Sequence, residues 1–233
     1  MGYKKTTIPK SEKKLTALIG CEESQAVCFE FRKLGHEAFS CDLLPCSGGH
    51  PEWHLQMDVF EAIKLKKWDL MIAFPPCTHL CSSGAVYWDI KQKDGRQQDA
   101  IDFFMCFFDV NCKYIAVENP AGIISRVFRK PDQYINPYYF GDPYRKRTGL
   151  WLKNLPLLNP TNIITPIASW HSGSTRGGIK KDGTRTKSKL PALKSGSILR
   201  SRTFPGIAQA LAFQYSNFII SGISIKEWDI MNI

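Results

Sequence analysis

The segment Phe74-Pro-Pro-Cys-Thr-His-Leu-Cys-Ser-Ser-Gly84 follows an apolar run, Asp69–Phe74, that reads as a buried strand. Two prolines fix the backbone just ahead of Cys77. They deliver a thiol rigidly to a strand end, the placement that a covalent nucleophile needs. A cysteine kept for packing belongs on a strand or helix face, and Cys28 and Cys106 are expected to be of that kind. About 40 residues further on, a second apolar run ends in Val117-Glu-Asn-Pro-Ala-Gly122. It sets Glu118 at another strand end, where partial burial raises a carboxyl pKa and suits it to proton donation. An acid at such a position also serves as a helix cap or an ion-pair partner.

Other polar residues sit at strand ends. Gly20-Cys-Glu-Glu-Ser24 joins a first apolar strand to a helix, and its amides and helix N-terminus suit a carboxylate or phosphate. It lacks the G-x-G-x-x-G pattern. Asp42 ends the next strand, about 20 residues later, where an acid can hold the ribose hydroxyls of a nucleoside-like cofactor. Cys41-x4-Cys46-x3-His50-x3-His54 has near-finger spacing. Cys41 is expected inside a strand, however, and Gly48, Gly49 and Pro51 make a loop of the rest, so no metal is expected. Cys77-x-His79-x-Cys81 reads as an active-site loop and not as a metal clip.

The elements that position these groups alternate. Strands are expected at Leu15–Gly20, Glu37–Cys41, Leu55–Val59, Asp69–Phe74 and Lys113–Val117, with helices at Glu23–Leu34 (closed by Gly35), Phe60–Lys66 and Asp99–Val110. That alternation predicts βαβ units and a parallel sheet, whose ligands bind beyond the carboxyl ends of its strands. The rule selects Gly20–Ser24, Asp42–Pro45, Pro75–Ser83 and Glu118–Gly122. After Ser125 the chain becomes irregular, with a strand expected at Thr148–Leu152 and a helix at Pro205–Phe213. The parts expected are a basic tail (1–14), a cofactor-binding and catalytic core (15–125), an irregular basic insertion holding a small target-recognition region (126–202), and a C-terminal helix and tail (203–233).

The chain has 233 residues, 43% of them hydrophobic, enough for one α/β domain with a real core. No apolar run approaches the ~18–20 residues that cross a bilayer. The lysine-rich start has no signal-peptide core, so the eight cysteines are read as reduced thiols and the location as cytoplasmic. The formal charge of +10 is concentrated: His171–Arg202 holds nine Lys or Arg against Asp182 alone. Such a stretch suits a polyanion, with Arg176, Lys180, Lys181, Arg185 and Lys187 as the expected DNA-binding residues; a solvated loop is the other reading.

PPC after an apolar strand, then ENP, resembles the PPCQ and ENV motifs of the C5-cytosine DNA methyltransferases. CDLLP at 41–45, TGLWLKNLP at 148–156 and SRTFPGIAQALA at 201–212 resemble short phage-type relatives, which would place the protein in a host cytoplasm. The likeness covers roughly residues 15–216. It implies a Rossmann-like methyltransferase fold, a mostly parallel sheet with helices on both faces, using S-adenosylmethionine. Its implied reaction is methylation of cytosine C5 in DNA through a covalent bond from Cys77 to C6, with Glu118 protonating N3. By the same likeness the cofactor would meet Gly20, Cys21, Glu22, Ser24, Asp42, Leu43, Asp58, Val59, Pro75 and Thr203, with Asp42 at the ribose and Asp58 at the adenine. The family's QxRxR motif has no clean match; Arg145-Lys-Arg147-Thr is the nearest basic cluster, with Arg147 as the expected catalytic arginine. The chain departs from the pattern in GCEES for the glycine-rich loop, in Thr78 after PPC, and in Pro120 for the valine of ENV. A related enzyme acting on a free pyrimidine nucleotide or on another pyrimidine in DNA, or a non-catalytic DNA-binding homologue, stands as the alternative. A monomer is the default expectation.

Overall fold

The structure is a computed structural model that describes residues 13–170, 176–179, 185–187 and 202–231. Its centre is a seven-stranded sheet. In chain order the strands are β1 (Thr16–Gly20), β2 (Glu37–Asp42), β3 (His54–Gln56), β4 (Leu70–Ala73), β5 (Tyr114–Pro120), β6 (Gln133–Ile135) and, after a two-residue strand β7 (Tyr144–Arg145), β8 (Thr148–Lys153). They lie in the order β3-β2-β1-β4-β5-β8-β6. The first five are parallel, whereas β8 runs antiparallel to both β5 and β6. The sheet therefore continues into the stretch read from sequence as an insertion.

Strand side chains alternate between two apolar layers, because successive residues of a strand face opposite sides. Ala17, Ile19, Leu70, Ile72 and Ala116 pack with helix α1 (Ala26–Lys33) and the long helix Pro205–Ser221. Leu18, Met71, Ala73, Ile115 and Val117 pack with α2 (Val59–Lys64) and, beyond the short α3 (Trp88–Lys93), with α4 (Arg96–Asp109). This is the expected Rossmann-like architecture, a mostly parallel sheet with helices on both faces.

Several boundaries differ from expectation, each for a local reason. Helix α1 begins at Ala26 and not at Glu23, since Gln25 is left-handed (φ 59°) and the Glu22 carboxylate accepts from the amides of Val27 (2.7 Å) and Cys28 (3.2 Å). β3 stops at Gln56, because Asp58 is the N-cap of α2 and accepts from Phe60 N at 2.8 Å. The long helix runs to Ser221 and not to Phe213; it is buried on most sides, so a one-sided stripe does not mark its end. Cys106 is exposed, not core, since α4 turns Ile101, Phe104 and Phe107 inward. Two strand pairs went unforeseen, β7 with β9 (Ala168–Ser169), and β10 (Arg176–Ile179) with β11 (Arg185–Lys187). So did the helix Ile225–Met231.

Candidate active site

Strand order reverses between β1 and β4, so the crevice beyond their carboxyl ends is where this architecture binds ligands. The loops after β1, β4 and β5 meet there. A cavity of about 660 Å³ lies elsewhere, at the amino ends of the strands beside Leu15, Asp69 and Tyr114. It holds none of the residues singled out from sequence.

The Cys77 loop is built as a turn and bolted to its neighbour. The Cys77 carbonyl accepts from the amides of both Leu80 and Cys81 at 3.0 Å. Asn119 Nδ2 donates to the Pro75 carbonyl (2.9 Å), joining the two motif loops at their bases. Further out, Ser82 N donates to Ala121 O (3.0 Å) and Ile123 N to Leu80 O (2.9 Å). Gly122 makes this contact possible, because a Cβ there would sit 2.0 Å from the Leu80 carbonyl oxygen. On the outer side Gln97 donates to the His79 carbonyl (3.1 Å) and Lys91 to that of Thr78 (2.6 Å). The sequence thus holds Cys77 half-exposed at the mouth.

Glu118 faces a narrow cavity that it shares with Phe74, Lys146, Thr148, Thr203 and Phe204. Burial pushes its carboxyl above the usual carboxylate range, while Lys146 and a hydrogen bond with Thr148 oppose the shift. Cys77 feels the same groups. A hydrogen bond with the Cys81 thiol and burial push its own thiol up, the Glu118 charge adds to this, and Lys146 works against it. Cys77, Cys81, Glu118 and Lys146 therefore form one electrostatic cluster.

The cation in that cluster is not the expected one. Arg147 is exposed, with its guanidinium 3.6 Å from the centre of the Tyr134 ring. The extended chain explains the exchange: Lys146, Thr148 and Leu150 all line the cavity, and Arg147 between them points to the other side. The sequence singled out Arg147 within Arg145-Lys-Arg147, a run that carries no register of its own. Thr203 lines the Glu118 cavity too.

The other proposed cofactor residues gather around the end of β1. Gly20 and Val59 are packed together, since a Cβ on Gly20 would meet Val59 Cγ2 at 2.7 Å. Cys21 follows with φ 57°; burial pushes its thiol up, as do the nearby charges of Asp42, Cys41 and Asp58. Glu22 departs from its expected role. It is buried, its oxygens are turned inward to cap α1, and burial raises its pKa to about 8. Ser24 is half-buried, and the segment after it is covered by residues 47–50: Ser47 N donates to Glu23 O (2.8 Å), and the Gln25 amide bonds both backbone groups of His50. Asp42 accepts from Leu44 N at 3.0 Å, and Leu43 beside it is 71% exposed.

Of the expected DNA-binding residues, Arg176 lies on β10 and Arg185 and Lys187 on β11, so three share one antiparallel ribbon. Lys180 and Lys181 lie outside the described residues. The finger-like spacing places its groups in other contacts. His54 bonds Ser40 Oγ (2.8 Å) and Leu44 O (2.9 Å), His50 stacks on Trp53 at 3.8 Å, and Cys41 is buried. Among the described residues no three His, Cys, Asp or Glu are grouped to hold a metal, and no helix is long and apolar enough to cross a membrane.

No family model matches this chain. No curated protein matches it either. Solved structures do. One is a candidate DNA modification methyltransferase encoded within an Escherichia coli prophage, 16% identical with a TM-score of 0.43, aligned over 69% of this chain and 59% of that one. Another is the Entamoeba histolytica methyltransferase EhMeth, 12% identical with a TM-score of 0.45, over 66% and 58%. A third is an Escherichia coli rRNA methylase, 13% identical with a TM-score of 0.34, over 61% and 57%. The chain spans under three fifths of the length of each.

Proposed function

We propose that this protein is an S-adenosylmethionine-dependent methyltransferase that modifies C5 of cytosine in DNA, with Cys77 as its nucleophile. One observation carries the reading. Cys77, from the loop after β4, and Glu118, near the carboxyl end of the adjacent parallel strand β5, share one electrostatic cluster with Lys146 beside both.

The donor set at the end of β1 fits the cofactor. Two carboxylates, Asp42 and Asp58, flank Cys21, and each uses only one oxygen to accept from a local backbone amide, Leu44 N and Phe60 N respectively. That leaves acceptors for ribose hydroxyls and an adenine amino group. When bound, S-adenosylmethionine supplies an electrophilic methyl group. Glu22, turned inward, is not among its ligands in this reading.

Cytosine C5 is a poor nucleophile until a thiolate adds at C6. Cys77 makes that bond. Glu118, whose carboxyl burial pushes up toward the protonated form, holds a proton toward N3 and so limits charge on the ring during attack. A protonated Glu118 also no longer opposes ionisation of Cys77, so the two steps favour each other. Lys146 stabilises the anionic form of either group. Once C5 carries the methyl group, loss of the C5 proton to a base and departure of Cys77 as thiolate restore the ring. In duplex DNA the base must first leave the stack. The ribbon of β10 and β11, with Arg176, Arg185 and Lys187, supplies cations for the phosphates, and Lys180 and Lys181 belong to the same basic stretch.

The test is transfer of a labelled methyl group to duplex DNA, single strands, RNA and mononucleotides, each at two salt concentrations. Duplex turnover should fall steeply with salt. Replacing Lys180, Lys181, Arg185 and Lys187 by alanine should flatten the log–log slope by about 0.9 for each phosphate that is no longer neutralised. Equal turnover on mononucleotide and duplex would defeat DNA as the substrate.

A further inference from the structure

Cys81 has no part in the chemistry above, yet of the neighbouring groups it acts most strongly on the nucleophile's thiol. The Leu80 and Cys81 amides both close on the Cys77 carbonyl, a single turn that brings side chains four apart to one side. The two thiols are hydrogen-bonded. Both residues are partly exposed, whereas Cys28, Cys41 and Cys112 are buried. Cys81 is also held in place from behind by its bridge to Gly122, so the pair does not depend on a loose loop.

We infer that Cys77 and Cys81 form a reversible oxidation site, in which a peroxide converts the pair to an intraloop disulfide and removes the nucleophile. One thiolate attacks the peroxide, a sulfur–oxygen bond forms, the oxygen–oxygen bond breaks, and hydroxide leaves to take up a proton as water. The second thiol attacks the resulting sulfenic sulfur, the sulfur–sulfur bond forms, and a second water departs. Two thiols lose two electrons and one hydrogen peroxide becomes two waters. A dithiol reductant reverses the step by exchange. Because burial and the partner thiol raise the Cys77 pKa, the site oxidises slowly near neutral pH and faster as pH rises. The consequence for activity rests on the proposed function, but the disulfide itself does not.

The experiment uses the whole chain, treated with hydrogen peroxide, alkylated and digested with trypsin. Cys77 and Cys81 are the two cysteines of the peptide Trp68–Lys91, which has no internal Lys or Arg. The expected product is that peptide lighter by two hydrogens and carrying no alkyl group, restored to two alkylated cysteines by dithiothreitol. Methyl transfer should be lost and regained in step. Cys81→Ser should never give the lighter peptide and should carry a sulfenic-acid label at Cys77 in its place. Full alkylation of both residues after oxidation, or pairing of Cys77 with a cysteine outside the peptide, overturns the inference. A disulfide that forms in a chain showing no transfer even when reduced upholds this site and defeats the functional reading alone.

Discussion

The two halves of the crevice are built on different principles. After β4 and β5, loop carbonyls take the bonds that carry the architecture, from loop amides and from the side chains of Asn119, Gln97 and Lys91, and Cys77 and Glu118 are left facing the mouth. After β1, β2 and β3 the acids themselves are taken up as acceptors of backbone amides. Glu22 caps α1, Asp58 caps α2, Asp42 takes the Leu44 amide, and Gln25 clasps His50. The difference shows where an acid at a strand end is available for chemistry. Glu118 is available because Asn119, Gly122 and Ala121 already join the loops.

The comparison breaks most sharply at Gly122. Gly122→Ala puts a Cβ against the Leu80 carbonyl and must spread the two loops. It should lower stability by ~1–3 kcal/mol, read as a shift in the denaturant midpoint, and should lose methyl transfer as well. Unchanged stability would mean that the loops are not interlocked.

Next comes the choice of cation. Lys146→Ala should reduce turnover by ~10-fold, or about 1.4 kcal/mol, by removing the charge that favours ionised Cys77. Arg147→Ala should change turnover by less than ~3-fold, since its partner is the Tyr134 ring. Reversed sensitivities would restore Arg147 to the site.

On the other half, Glu22 makes a smaller and pH-dependent prediction. Its carboxyl is raised from 4.5 to about 8 in the folded chain. Between those values the unfolded state has lost the proton and the folded state keeps it, so stability falls as pH rises through that window. Glu22→Gln keeps an acceptor for the α1 amides but cannot ionise. It should flatten that decline, with a cost of ~1 kcal/mol near pH 5, measured by denaturation across pH. An undiminished pH slope would show that Glu22 is not its source. The smallest effect belongs to Cys106→Ser, which should stay within ~0.5 kcal/mol because the residue is exposed.

These residues also show what was legible in the sequence. Cys77 and Glu118 stood out because an apolar strand followed by proline leaves few places for a polar side chain to go. The first five strands followed from alternation of apolar runs with helical spacing. Glu22 was read as a cofactor contact because a glutamate between strand and helix looks the same whether it meets a ligand or caps the helix; the turn with positive φ at both Cys21 and Gln25 aims it at the α1 amides. Lys146 was missed because Arg-Lys-Arg carries no register, which comes from Thr148 and Leu150 once β8 is paired. Cys106 was misplaced because α4 has apolar residues around much of its circumference, and its buried face is set by what the sheet offers it.

The central claim is a covalent bond from Cys77 to the target base. A duplex carrying 5-fluorocytosine tests it most directly, because fluorine cannot leave C5 as a proton does, and Cys77 is therefore not released. With S-adenosylmethionine present, the chain should form a complex with that duplex that survives denaturant and maps to the peptide Trp68–Lys91, and Cys77→Ser should form none. A wild-type chain that transfers methyl groups to DNA without ever forming such a complex, or a Cys77→Ser variant that still forms one, would contradict the account.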